Sequence, residues 1–288
     1  MKIGMVGLGR MGGNMATRLR KAGHEVIGYA RTSASEVNSL EELVAELSPP
    51  RVVWTMIPAG DPTEQTIARL RDLLQAGDLV VDGGNSNFRD SMRRGESLAE
   101  HGIGFIDAGV SGGIWGLDNG YCLMVGGSDE DVARVLPVFE ALAPPGGYVH
   151  AGRLGAGHFT KMVHNGIEYG LMESYAEGYE LLRASELGID VPGAVAAWRY
   201  GSVVRSWLLE LLVGALQEDP ALAHIKGYAD DSGEGRWTVT EAVRLGVPAP
   251  AISAALYARF ASRQSDPDRM KVIAALRKAF GGHPIKAE

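Results

Sequence analysis

The feature that most constrains this chain lies in its first dozen residues, where a short apolar run, Ile3-Gly4-Met5-Val6, leads directly into Gly7-Leu8-Gly9-Arg10-Met11-Gly12. A G-x-G-x-x-G between a strand and a helix asks for a tight turn at its first glycine, close ligand approach at its second, and close helix–strand packing at its third. The N–H groups and partial positive charge that open such a helix suit a pyrophosphate. Gly7, Gly9, Met11 and Gly12 are therefore candidate dinucleotide-binding positions. The flanking strand and helix carry this assignment, because the glycine spacing alone describes an ordinary turn equally well.

The next hundred residues repeat the same alternation. Residues 2–7, 25–29, 51–57 and 79–82 read as strands, and residues 11–22, 36–47, 62–74 and 89–101 as amphipathic helices. That rhythm predicts an α/β fold whose N-terminal part is a Rossmann-type, doubly wound parallel sheet. Gly23, Gly77 and Gly102 stand where helices should stop, and Asp61-Pro62 with Glu64 reads as an N-cap, a first-turn proline and a capping box. Residues 104–107 and 121–126 look like further strands. At Pro144-Pro145-Gly146-Gly147 the strand signals end, and beyond Gly157 the chain reads as helical. The expected helices are residues 157–187, which lack proline, then 191–215, 238–245, 250–262 and 268–280. The expected division is a dinucleotide-binding domain over 1–155 and an all-helical substrate-binding and dimerisation domain over 156–288.

Composition narrows the function classes. With 45% hydrophobic and 22% charged residues the chain suits well-formed globular cores. Twenty-eight basic against 35 acidic residues give a net charge of −7 with no basic stripe, which argues against nucleic acid or an anionic membrane as partner. A single cysteine, Cys122, excludes an internal disulfide, and the seven histidines show no metal-ligating spacing, so no metal is expected. No leader-like stretch opens the sequence, and apolar runs such as Leu79-Val80-Val81 fall far short of the roughly 20 residues of a membrane span. The expectation is a soluble, cytoplasmic protein.

Three further segments carry chemistry. At the end of the second strand, Ala30, Arg31 and Thr32 offer a guanidinium and a hydroxyl where a carboxylate would select NAD, so NADP is favoured over NAD. Arg31 stacking on adenine would serve either cofactor. Two glycine-rich stretches, Asp82-Gly83-Gly84-Asn85-Ser86 and Ala108-Gly109-Val110-Ser111-Gly112-Gly113, follow strand-like runs at the edge where doubly wound folds bind ligands, and each is either a turn or a binding loop. At the head of the long helix, Lys161, His164, Asn165, Glu168 and Tyr169 recur at i, i+3, i+4, i+7 and i+8 and share one face. A solvated face with a Lys–Glu pair would look the same. A base and an acid seven residues apart, about 10 Å along a helix, could also attend two parts of one extended sugar acid.

These motifs, together with Gly233–Thr238 and Phe280-Gly281-Gly282-His283, occur in the order found in the 6-phosphogluconate dehydrogenases, and the chain resembles the short form of that family within the β-hydroxyacid dehydrogenase superfamily. The run Lys161-Met162-Val163-His164-Asn165-Gly166-Ile167-Glu168-Tyr169 is the most specific match. The resemblance implies a metal-free oxidative decarboxylation of 6-phosphogluconate to ribulose 5-phosphate and CO2. Lys161 would take the C3 hydroxyl proton as hydride leaves, Glu168 would protonate the enediol, and Asn165 would assist. Lys161 must then be neutral for part of the cycle, and Glu168 protonated for part of it. Asn85, Ser111, Gly112, Gly113, His164, Asn165 and Tyr169 would bind substrate, and Ile57, Pro58, Ala59 and Asn85 would flank the nicotinamide. Arg259 would hold the phosphate, joined by Arg277 and His283 from a neighbouring subunit, which implies a homodimer or higher oligomer with shared sites. One departure stands out. Ser232-Gly233-Glu234-Gly235-Arg236-Trp237-Thr238 replaces a Lys-Gly-Thr-Gly-Lys-Trp-Thr pattern, so a phosphate-binding lysine is missing. The alternatives are a β-hydroxyacid dehydrogenase or semialdehyde reductase that does not decarboxylate, and a non-catalytic NADP-binding regulator.

Overall fold

The computed structural model describes residues 1–286. The chain forms two compact units, Met1–His164 and the residues from Asn165 onward. The first unit contains β1 (Lys2–Val6), α1 (Arg10–Lys21), β2 (Glu25–Tyr29), α2 (Leu40–Ala45), β3 (Val52–Thr55), α3 (Asp61–Leu73), β4 (Leu79–Asp82), α4 (Phe88–Ala99) and β5 (Gly104–Ser111). A 3-10 turn (Gly113–Trp115) and α5 (Gly116–Asn119) then lead to β6 (Cys122–Gly126), α6 (Asp129–Leu142) and β7 (Tyr148–Gly152). The strand order is β2-β1-β3-β4-β5-β6-β7. β1 to β5 run parallel, so the segments following Val6, Tyr29, Thr55, Asp82 and Ser111 all emerge at one edge.

Period-2 alternation explains why helices cover both faces. Ile3, Met5, Trp54, Leu79 and Val81 point to one side, against Met15 and Leu19 of α1 and Val135 and Phe139 of α6. Val6, Val53 and Val80 point to the other, against Leu43 of α2, Ile67 and Leu70 of α3 and Leu98 of α4. Strands buried on both faces become continuous apolar runs, as in Val52-Val53-Trp54 and Leu79-Val80-Val81. Each such side chain contributes about 1.5–3 kcal/mol on burial.

The sheet departs from the expected pattern at its far edge. β6 lies antiparallel to β5 and is followed by α6, and β7 extends the unit past Pro144-Pro145-Gly146-Gly147, where the sequence predicts an end to strands. β7 is an edge strand that alternates half-buried and exposed residues, so it lacks the apolar run that marks the central strands. α6 announces itself through Ser128, whose hydroxyl accepts from Asp131 N, and three acidic residues in its first turn, but Pro137 in its interior works against a helical reading. Two local readings also change. Asp61 does not cap α3: Gly60 occupies that position with a positive φ of 86°, while Glu64 turns to Arg93 and Arg94 instead of its own helix. α2 starts late, at Leu40, because Glu36 is drawn to the β2 backbone and Ser39 caps the helix.

α7 (Ala156–Ala184) begins in the first unit and continues into the second, which adds α8 (Val191–Ala197), α9 (Trp207–Glu218), α10 (Glu234–Leu245), α11 (Pro250–Ser262) and α12 (Asp268–Gly281). The single helix expected over 191–215 is split in two. Gly201 takes a positive φ of 69°, and the Ser206 hydroxyl accepts from Leu209 N to start α9 afresh. Small cores form around Val195, Leu209 and Val213 and around Tyr169, Ala255 and Leu256. α12 buries none of its residues. Among the described residues no helix is long and apolar enough to cross a membrane.

Candidate active site

The glycine turn has the geometry its sequence requires. Gly7 adopts φ 96°, and a Cβ there would lie 2.4 Å from the Met56 carbonyl oxygen. A Cβ on Gly12 would lie 2.0 Å from the Gly7 carbonyl oxygen, so the third glycine lets α1 press against the turn. A Cβ on Gly9 would meet nothing within 4 Å, which leaves room for a ligand at the N-terminal end of α1, and no described side chain caps that helix. Met11 packs partly against the core. We expect Gly9→Ala to weaken dinucleotide binding and leave the thermal midpoint unchanged. Gly12→Ala should lower both, the overpacking costing about 1–3 kcal/mol. Calorimetric titration alongside thermal unfolding would distinguish them, and equal behaviour of the two variants would refute these roles.

At the end of β2, Ala30 N donates to the Ser35 hydroxyl at 2.9 Å, and Arg31 and Thr32 are exposed. Glu36, the carboxylate that follows, accepts from Gly28 N at 2.9 Å and from Arg20 at 2.5 Å. Beyond β4, the buried Asp82 shapes its own loop. Its carboxylate accepts from Gly84 N at 3.0 Å and from the Ser86 hydroxyl at 2.8 Å, with buried Arg94 3.5 Å away. Arg94 reaches on to Glu64, whose carboxyl its neighbours Arg93 and Arg94 hold down at about 2 despite partial burial. Gly84 sits against the β3 loop, where a Cβ would be 2.8 Å from the Ile57 carbonyl oxygen, and Pro58 O accepts from Thr63. The Ile57-Pro58-Ala59 and Asp82–Ser86 loops are thus brought together, with Asn85 exposed at the apex.

The third glycine stretch is only partly a loop. Residues 108–111 are strand, Ser111 pairs with Cys122, and only Gly112 (φ 132°) and Gly113 (φ 54°) form the turn. Gly109 has a packing role the sequence reading did not assign, since a Cβ there would lie 2.4 Å from Lys161 Cβ. It lets the first turns of α7 rest on β5. Asp107, on the same strand, fixes the helix start by accepting from Gly155 N and His158 N, both at 2.7 Å, and burial pushes its carboxyl upward. His158, buried beside it, shares a 2.7 Å hydrogen bond with the Ser91 hydroxyl. Lys161 follows one turn later and is only 9% exposed. The solvated-face alternative fails at this residue.

In the second unit, Asn165 Nδ2 donates to Glu234 Oε1 at 3.2 Å, and the Arg259 guanidinium lies 3.7 Å over the buried Tyr169 ring. The Tyr169 hydroxyl accepts from Ser232 N at 3.3 Å. Arg259 also donates to Asp230 O at 2.9 Å. Glu168 and His164 are half-buried. Asn165, Tyr169 and Arg259 are therefore brought together. Arg277 and His283 lie on α12 and the exposed tail, and no hydrogen bond or ion pair among the described residues joins them to that cluster.

Comparison with known proteins decides the family. Residues 2–152 match the NAD binding domain of 6-phosphogluconate dehydrogenase, and residues 157–285 match the 6-phosphogluconate dehydrogenase C-terminal domain. The chain belongs to the 6-phosphogluconate dehydrogenase family. It is 39% identical to the NAD(+)-dependent, decarboxylating 6-phosphogluconate dehydrogenase of Haloferax volcanii, covering 99% of this chain and 98% of that one. The Plasmodium falciparum 6-phosphogluconate dehydrogenase, solved with NADP+ and with 6-phosphogluconate, superposes with a TM-score of 0.84 at 28% identity, over 100% of this chain and 66% of that one. The Mycobacterium tuberculosis 3-hydroxyisobutyrate dehydrogenase superposes with a TM-score of 0.74 at 27% identity, over 96% and 99%.

Within this family member the Ser232–Thr238 segment does not offer a free cation in place of the missing lysine. Arg236 is committed to Asp231 at 2.6 Å, and Arg263 reaches the same carboxylate at 2.7 Å. Their hydrogen bonds hold the Asp231 carboxyl down at about 2. Of the arginines named from the sequence, Arg259 is the one that the fold places against Tyr169.

Proposed function

We propose that this chain catalyses NAD(P)-dependent oxidative decarboxylation of 6-phosphogluconate to ribulose 5-phosphate and CO2. The observation that carries this is the burial of Lys161 on the first turns of α7, seated on Gly109 and anchored through Asp107, in the same unit as an open glycine turn. A bound nicotinamide supplies the hydride acceptor. Lys161 takes the proton from the C3 hydroxyl, Asn165, His164 and Tyr169 orient the sugar acid, and Glu168 returns a proton to the enediol after CO2 leaves. Asn85, Ser111, Gly112 and Gly113 bind the substrate from the sheet edge, and Arg259 holds its phosphate. Ile57, Pro58, Ala59 and Asn85 hold the nicotinamide end.

The test is purified protein with 6-phosphogluconate, followed by dinucleotide reduction and CO2 release together. Reduction without CO2 would favour a non-decarboxylating β-hydroxyacid dehydrogenase, a reading that the likeness to 3-hydroxyisobutyrate dehydrogenase keeps in view. For the cofactor, NADP is the proposed preference. Ala30, Arg31 and Thr32 present no carboxylate, and Glu36 is engaged with Gly28 N and Arg20. Ala30→Asp should swing the ratio of kcat/KM values toward NAD, since a carboxylate accepts the ribose hydroxyls and repels a 2′-phosphate. A parent enzyme that already prefers NAD strongly would overturn this assignment.

A further inference from the structure

Glu234 is 1% exposed, opens α10, and has no part in the chemistry above. Its Oε1 accepts from Asn165 Nδ2 at 3.2 Å and its Oε2 from the Ser232 hydroxyl at 2.5 Å. Ser232 in turn donates its N–H to the Tyr169 hydroxyl at 3.3 Å. Gly235, the next residue of α10, is so close that a Cβ would lie 2.6 Å from the Tyr169 ring. One buried carboxylate therefore ties down two residues of the α7 face, Asn165 directly and Tyr169 through Ser232. A carboxylate only accepts hydrogen bonds, so Asn165 must turn its amino group toward Glu234 and its carbonyl oxygen the other way.

We propose that Glu234 is a positioning and specificity residue, which fixes the Asn165 amide so that its carbonyl oxygen is offered to the substrate and selects a hydroxyl there over an anionic oxygen. This rests on the reading of Asn165 as a substrate contact. The geometry also gives the Thr-to-Glu departure in the Ser232–Thr238 segment a purpose: a threonine hydroxyl can donate or accept and would leave the amide orientation open, whereas a carboxylate dictates it.

The test exchanges donor and acceptor across the pair. In Asn165→Asp two carboxylates face each other, and kcat/KM for 6-phosphogluconate should fall about 100-fold or more, because like charges at such a distance are strongly unfavourable. Glu234→Gln alone should cost up to about tenfold, since its amide oxygen can still accept from Asn165. Combining the two should recover about tenfold over Asn165→Asp, because the amide introduced on α10 then donates to the carboxylate introduced on α7 and an acceptor again faces the substrate. Dinucleotide affinity should stay constant throughout, which a general loss of structure would not allow. If Asn165→Asp fails to fold, Glu234→Leu and Asn165→Ala form a second cycle in which the losses should be far from additive. A double variant no better than Asn165→Asp, or an additive second cycle, overturns this inference alone. A wild-type protein that leaves 6-phosphogluconate untouched overturns the proposed function and this inference together.

Discussion

Lys161→Met should reduce turnover of 6-phosphogluconate by about 10²- to 10⁴-fold, the usual loss when a positioned acid–base group is removed, while dinucleotide affinity stays nearly constant. The separation follows from where the two functions sit. The proposed dinucleotide site is the Gly7–Gly12 turn, which is shaped by Met56 and by its own backbone. The Lys161 stem lies on Gly109, in a seat set by Asp107 at the start of α7. Methionine fills that seat at similar length, so the thermal midpoint should hold while the proton acceptor is gone. Single-turnover dinucleotide reduction, with titration of the cofactor alone, would measure both halves. An unchanged kcat in Lys161→Met would remove the proposed base, and with it the mechanism.

What the sequence revealed, and what it hid, follows the physics of each segment. The central strands were legible because burial on both faces makes them plain apolar runs, and the glycine turn because two steric demands, at Gly7 and Gly12, fall at fixed spacing around the open Gly9. β7 was not legible, because an edge strand after Pro-Pro-Gly-Gly draws its definition from pairing with β6 and not from its own residues. The antiparallel turn of β6 is a matter of topology, which periodicity does not encode. At the site, Lys161, Asn165 and Tyr169 stood out by sharing one helix face. Gly109, Asp107, His158 and Glu234 did not, since each acts on a residue distant in sequence: Gly109 and Asp107 lie 52 and 51 positions from their helix partners, and Glu234 lies 69 from Asn165. A paired glycine on strand and helix, Gly109 with Gly157, is the one local signal that could have exposed the close approach.

Arg277→Ala should raise KM for 6-phosphogluconate about ten- to hundredfold, and a mixture of this variant with Lys161→Met should regain activity that neither has alone. A charge-assisted hydrogen bond from a guanidinium to a phosphate is worth about 1.5–3 kcal/mol, and 1.4 kcal/mol is tenfold in affinity. Among the described residues no hydrogen bond or ion pair engages Arg277. α12 buries nothing, and Met270, Val272, Ile273, Leu276 and Phe280 along it are exposed, the last at 96%. Such a row of apolar side chains calls for cover, and a second copy of the chain would supply it while carrying Arg277 and His283 to the phosphate of its neighbour. In a mixed dimer one site would then combine the intact Lys161 of the Arg277→Ala chain with the intact Arg277 of the Lys161→Met chain, and the other site would carry both lesions. Random assortment of equal amounts leaves about one quarter of all sites fully competent, which dissociation, mixing and reassembly at saturating and at low substrate would reveal. If mixed dimers demonstrably form and activity stays at the level of the separate variants, Arg277 acts within its own chain or not at all, and the shared site is refuted.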